Sequence, residues 1–139
     1  MPDAAHEETT PHAATPLIHR LVCSLVGQTQ TTRLTKGTQA HQAYGREEAV
    51  EQFYCNFGLN PAYREQVLSG ALQCTGVDQE GEVRVVELTN QRFFVATLFL
   101  PQLSSSLERP HPLITAYVRA AVAFRDSRNG ATTSRKATT

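Results

Sequence analysis

Three stretches of the sequence predict an α/β fold with a mixed sheet. Residues Leu72 to Val77 and Glu82 to Leu88 read as a β-hairpin around the turn Asp78-Gln79-Glu80-Gly81. Residues Phe93 to Leu100 form an almost unbroken apolar run, the pattern of a strand covered on both faces. From Pro112 onward, Leu113, Tyr117, Ala121 and Phe124 recur at helical spacing. About four to six strands and two main helices are expected.

The elements follow in chain order. Leu17 to Val26 is apolar-rich, and its period alone does not separate helix from strand. Gln28 to Thr35 alternates Thr and Gln and reads as a polar strand, broken at Gly37. Tyr44-Gly45 opens a turn, and Arg46 to Val50 is expected to make one helical turn. Glu51 to Phe57 reads as a strand. Asn60-Pro61 starts a helix: Asn caps free amides, and Pro at the first position loses no needed donor. Tyr63, Val67 and Leu68 give its apolar stripe, and Gly70 is expected to end it in the left-handed conformation. In the second hairpin arm, Glu82, Arg84 and Glu87 among valines suit a strand with one wet face.

At 139 residues the chain fits one domain, expected over residues 16–126. Residues 1–15 and 127–139 are expected as disordered tails, being poor in apolar residues. The formal net charge is zero and the C-terminal basic residues lack interleaved aromatics, so no nucleic-acid partner is expected. No apolar run is long enough to span a membrane, and no basic-then-apolar leader opens the chain, which points to the cytoplasm. The three cysteines, Cys23, Cys55 and Cys74, form no Cys-x-x-Cys and are expected as free thiols. The five histidines show no ligand spacing, so no metal is expected; phosphate-cradling glycine motifs do not occur, so no cofactor is expected. Glu47, Glu48 and Glu51 make a local acidic patch that reads as a solvated face.

Several pieces in fixed order carry a family resemblance. They are Glu51 to Asn60, Gly70-Ala71-Leu72-Gln73-Cys74-Thr75-Gly76, Gly81 to Leu88, Phe94 to Leu103, and His111-Pro112-Leu113 to Ala121. Together they resemble the C-terminal half of class I glutamine amidotransferase domains of flavodoxin-like fold, most closely the glutaminase domain of CTP synthases. A freestanding family related to that C-terminal region is also similar, over Tyr54-Cys55-Asn56-Phe57-Gly58-Leu59-Asn60-Pro61. In these domains the segment matching Phe99 to Leu103 reads Phe-His-Pro-Glu-Phe, and its His and Glu belong to a Cys-His-Glu triad.

Here those two places are held by Leu100 and Gln102. A leucine cannot take the thiol proton that makes a cysteine nucleophilic. The nucleophile elbow Gly-x-Cys-x-Gly does not occur in this sequence, and the family's basic glutamine-holding strand is replaced by Phe53-Tyr54-Cys55-Asn56-Phe57. The resemblance therefore implies glutamine and pyrimidine nucleotide metabolism as the family setting, and a degenerate, non-hydrolytic binding or interaction module as the role. The alternative is residual glutamine-hydrolysing activity, with a partner-supplied nucleophile or with Cys55 activated by His111. Cys55 and Asn56 are the candidate substrate-binding residues; Cys74 only faintly suggests an elbow and reads as structural. Phe93 to Leu100 would need cover on both faces, so a partner is expected: a second copy, or a separate chain carrying the first half of the domain.

Overall fold

The computed structural model describes the backbone of residues 4–136 and the side chains of residues 4–129. Seven strands and three helices follow in order: β1 Ile18–Arg20, β2 Gln28–Leu34, α1 Gln39–Tyr44, β3 Glu48–Phe53, β4 Phe57–Leu59, α2 Arg64–Val67, β5 Leu72–Val77, β6 Val83–Leu88, β7 Val95–Thr97 and α3 Pro112–Lys136. Five strands form one sheet in the order β3-β2-β5-β6-β7; β1 and β4 form a separate ribbon. All pairings between named strands are antiparallel, which corrects the expected mixed sheet. The sheet curls, and just past β7 an antiparallel bridge joins Phe99 to Phe53 at the end of β3. The fold is nonetheless α/β: the core of Leu34, Ala49, Phe53, Val85 and Phe99 is covered by Ala40 of α1 and Leu113 of α3.

The predicted hairpin is present as β5 and β6. Gly81 closes its turn at φ 84°, and Asp78 Oδ1 accepts from the amides of Glu80 and Glu82. The register shifts at Gly76, where close packing leaves no room for a side chain. A Cβ there would lie 2.7 Å from Val85 Cγ2. The helix start at Asn60 is also present, first as a 3-10 turn over Pro61–Tyr63 and then as α2.

Other boundaries differ. The helical turn expected at Arg46 to Val50 is instead α1, one segment earlier. Thr38 caps its first turn by accepting from the His41 amide, and Gly45 ends it at φ 66°. Chain from Glu48 is therefore free to form β3, while the expected strand breaks at Tyr54 to Asn56 before β4. Leu17 to Val26, left open between helix and strand, holds only the short strand β1. Gly70 is not in the left-handed region, because α2 ends earlier at Val67. The run Phe93 to Leu100 contributes just three strand residues, Val95–Thr97, with Ala96 exposed. β7 pairs only with β6 and lies at the sheet edge, so no strand among the described residues pairs with its second side.

The wet face expected on β6 is also corrected. Arg84 and Glu87 are buried, each satisfied by fixed partners. Arg84 pairs with Asp78 at 2.6 Å. Glu87 accepts from the amides of Gln39 and Ala40 at 2.9 and 2.8 Å, pinning the start of α1 to the sheet. Both ends of the described chain carry local structure. His6 bridges Ile18, and the Glu7 amide donates to Ile18 O at 2.9 Å, because β1 leaves an edge open for them. Helix α3 continues through residue 127 to Lys136. Residues 1–3 and 137–139 lie outside the described residues.

Candidate functional site

The segment that carries the family resemblance is positioned from both flanks. Before it, the Leu98 amide donates to Arg84 O at 2.9 Å, and the Leu100 amide donates to Gln52 O at 3.2 Å. After it, Pro fixes the backbone and Pro101–Ser104 turns as a 3-10 helix. Leu100 is half-buried at the entry of that turn, and Gln102 is exposed within it. Leu103 is 48% exposed although apolar.

Beneath the turn lies a polar cluster built from four elements. Glu51 of β3 is buried, and its Oε1 accepts from Tyr44 Oη of α1 at 2.5 Å. The same oxygen lies 3.0 Å from His111 Nε2, just before α3. Its Oε2 accepts from Ser104 Oγ at 3.2 Å. His111 Nδ1 accepts from the Leu113 amide at 3.2 Å, which puts the ring proton on Nε2, facing Glu51. The His111 amide in turn donates to Ser105 Oγ at 3.1 Å. The Tyr44 ring meets the imidazole edge-on, and the Phe99 ring lies tilted beside it. Burial, then the hydrogen bond and charge of Glu51, hold the Tyr44 hydroxyl well above the ordinary tyrosine range.

This arrangement satisfies a buried carboxylate with three donors and fixes the turn through Ser104. It offers no open acid or base, since Glu51 and His111 are 4% and 3% exposed. The acidic patch read as a solvated face is thus divided: Glu47 and Glu48 are exposed, and Glu51 is the buried center of the cluster. The Glu51–His111 pairing spans sixty positions. Its one sequence sign was the alternation in β3, where Ala49, Glu51 and Phe53 share the covered face.

The candidate residues Cys55 and Asn56 lie elsewhere. Cys55 Sγ donates to Phe57 O at 3.0 Å, and Asn56 O accepts from the Leu21 amide at 2.8 Å. Cys55 and His111 do not hydrogen-bond to each other, and both imidazole nitrogens are engaged elsewhere. Cys55 instead lines a cavity of about 320 Å³ between the β1–β4 ribbon and β6–β7, walled by Leu59, Val86, Ala96 and Leu98. Cys74, in β5, points its thiol at Gly76 O at 3.6 Å. Among the described residues no group of three or more His, Cys, Asp or Glu side chains could hold a metal ion. No helix among them is long and apolar enough to cross a membrane.

Known proteins place these features in a family. No protein-family model matches the chain. CTP synthase of Bacteroides thetaiotaomicron is 36% identical over 90 residues, covering 64% of this chain and 17% of that protein. CTP synthase of Geobacter sulfurreducens is 33% identical over 136 residues, covering 91% of this chain and 25% of that protein. The chain thus spans a quarter or less of the length of these relatives. Among solved structures, the glutaminase domain of the Trypanosoma brucei CTP synthase, determined with bound acivicin, superimposes with a TM-score of 0.79 at 22% identity. That match covers 88% of this chain and 52% of the other. A putative GMP synthase component from Thermoplasma acidophilum matches at 0.59 with 10% identity, covering 81% and 51%. The chain is a relative of CTP synthase over two thirds or more of its own length, and it folds as a partial class I glutamine amidotransferase domain.

Proposed function

We propose that this chain is a non-hydrolytic relative of the CTP synthase glutaminase domain, acting as an interaction module. The observation that carries the reading is the turn at Leu100 and Gln102, where the family motif has its His and Glu. The fixed partners of Cys55 and His111 weigh against a replacement dyad. The test is incubation with a glutamine-analogue diazoketone, read by intact mass, alongside an assay of ammonia release from glutamine. No adduct and no ammonia are expected. An adduct on Cys55, or steady ammonia release, would overturn the reading.

The interaction side of the proposal rests on surfaces the chain leaves open. On α3, Tyr117, Val118, Val122 and Phe124 are 60%, 51%, 41% and 37% exposed, and β7 keeps one side unpaired. Close to half of the solved Trypanosoma brucei chain has no counterpart here. We assign the open surface to a polypeptide carrying that complementary half, which supplies apolar cover for α3 and a neighbor for β7. Light scattering of the chain mixed with the complementary half from a relative's glutaminase domain should give a 1:1 complex. A chain that stays monomeric in that mixture and binds little hydrophobic dye would refute this part. A dimer of the chain alone would replace the complementary half by a second copy.

A further inference from the structure

A groove of about 500 Å³ lies between α1, the turn before β7 and the first two turns of α3. Its lining includes two arginines, Arg92 and Arg119, and no carboxylate. Neither arginine is in an ion pair among the described residues. Arg92 is held in place without being neutralized, because its guanidinium stacks over Phe124 at 4.2 Å from the ring centroid. Arg119 rises one turn beyond Thr115 on the same side of α3, and Gln42 of α1 lines the opposite wall. Phe93 lies in the same groove, with its ring against Tyr117.

The formal net charge of the chain is zero, so two uncompensated guanidinium groups in one groove are a local excess rather than part of a basic surface. A planar guanidinium fork matches phosphate or carboxylate oxygens in a two-pronged hydrogen bond, and two arginines lining one groove raise that preference. We propose that this groove binds the oxyanion group of a small soluble molecule, a phosphate ester or a carboxylate. Thr115 supplies a neutral hydroxyl beside the anion, and Phe93 supplies an apolar wall for the rest of the molecule.

Amide chemical shifts are followed while inorganic phosphate and, separately, citrate are added at low salt. Saturable shifts confined to Gln42, Phe93 and Thr115 to Arg119 are expected with at least one of the two. Saturation by phosphate alone identifies a phosphate ester, and saturation by citrate alone identifies a carboxylate. Arg92→Gln and Arg119→Gln should each weaken binding roughly tenfold, the usual effect of losing a charge-assisted hydrogen bond. Arg119→Lys keeps the charge without the fork and should weaken it less. Arg125→Gln is the control, since Arg125 pairs with Asp126 outside the groove. All three arginines are exposed, and unchanged thermal unfolding confirms that each variant folds. No saturable shift with either anion below about 10 mM, or equal weakening in Arg125→Gln, overturns the proposal.

Discussion

The cluster around Glu51 and the surface along β7 and α3 differ in how far the chain completes them. In the cluster, one carboxylate takes three donors, and each partner comes from a different segment: α1, the turn after β7, and the start of α3. Along the open surface, apolar side chains such as Tyr117 and Val118 meet solvent, and an edge strand has one neighbor. Both flank the turn that holds Leu100 and Gln102. The chain completes the scaffold that positions the turn and leaves the surface beside it open. Retention of a scaffold therefore says nothing by itself about retention of the reaction.

The largest effect should come from the closed region. Glu51→Ala removes the acceptor shared by the Tyr44 and Ser104 hydroxyls and the His111 N–H in a dry site, leaving Tyr44 and His111 only each other at 3.1 Å, and should cost about 3–5 kcal/mol in urea unfolding. A cost below about 1 kcal/mol would mean that water reaches the cluster and that the contrast with the open surface is false. Gly76→Ala should cost about 1–3 kcal/mol by overpacking, because the new Cβ would meet both Val85 and Thr32 Cγ2 at 3.1 Å.

Tyr44 offers a finer probe. Its hydroxyl ionizes less readily folded than unfolded, so the unfolded chain releases that proton first. Its contribution to stability is intact below the unfolded tyrosine value of about 10 and is lost as pH rises above it, by up to about 1.4 kcal/mol per pH unit. Tyr44→Phe should remove that component of the alkaline slope, measured by unfolding midpoints between about pH 9 and 11. An unchanged slope would place the hydroxyl in contact with water.

The smallest effect on stability belongs to the open surface. Val118→Lys on α3 should change unfolding free energy by less than about 0.5 kcal/mol. The same substitution should weaken association with the complementary half, read by light scattering. A large loss of stability instead would show that Val118 belongs to the core of the isolated chain.

What was legible in the sequence follows the range of the interactions involved. The hairpin was readable because Asp78 and Gly81 dictate their own turn, and the helix start at Asn60-Pro61 because a cap acts on the next few amides. Order along the chain was enough to identify the family. Charged residues misled: Arg84, Glu87 and Glu51 all read as wet, yet Glu87 and Glu51 are buried by partners far along the chain, and Arg84 by Asp78 across the hairpin turn. The apolar run at Phe93 to Leu100 misled in the opposite sense, since apolar character records what a strand would bury but not whether this chain supplies the cover. Within the candidate site, the motif directed attention to Leu100 and Gln102, while the cluster beneath them depended on how the sheet curls.

The bridge between Phe53 and Phe99 bears on how the molecule reaches this shape. The hairpin of β5 and β6 and the pairing of β2 with β3 link residues near in sequence and can form early. Joining β3 to the segment after β7 closes a long stretch of chain and returns few contacts until it is complete. Curling of the sheet should therefore be a late event in folding. Until it occurs, Phe53, Phe99 and the seat for Glu51 and His111 are unmade, so the polar cluster assembles only after the chain has settled into its topology.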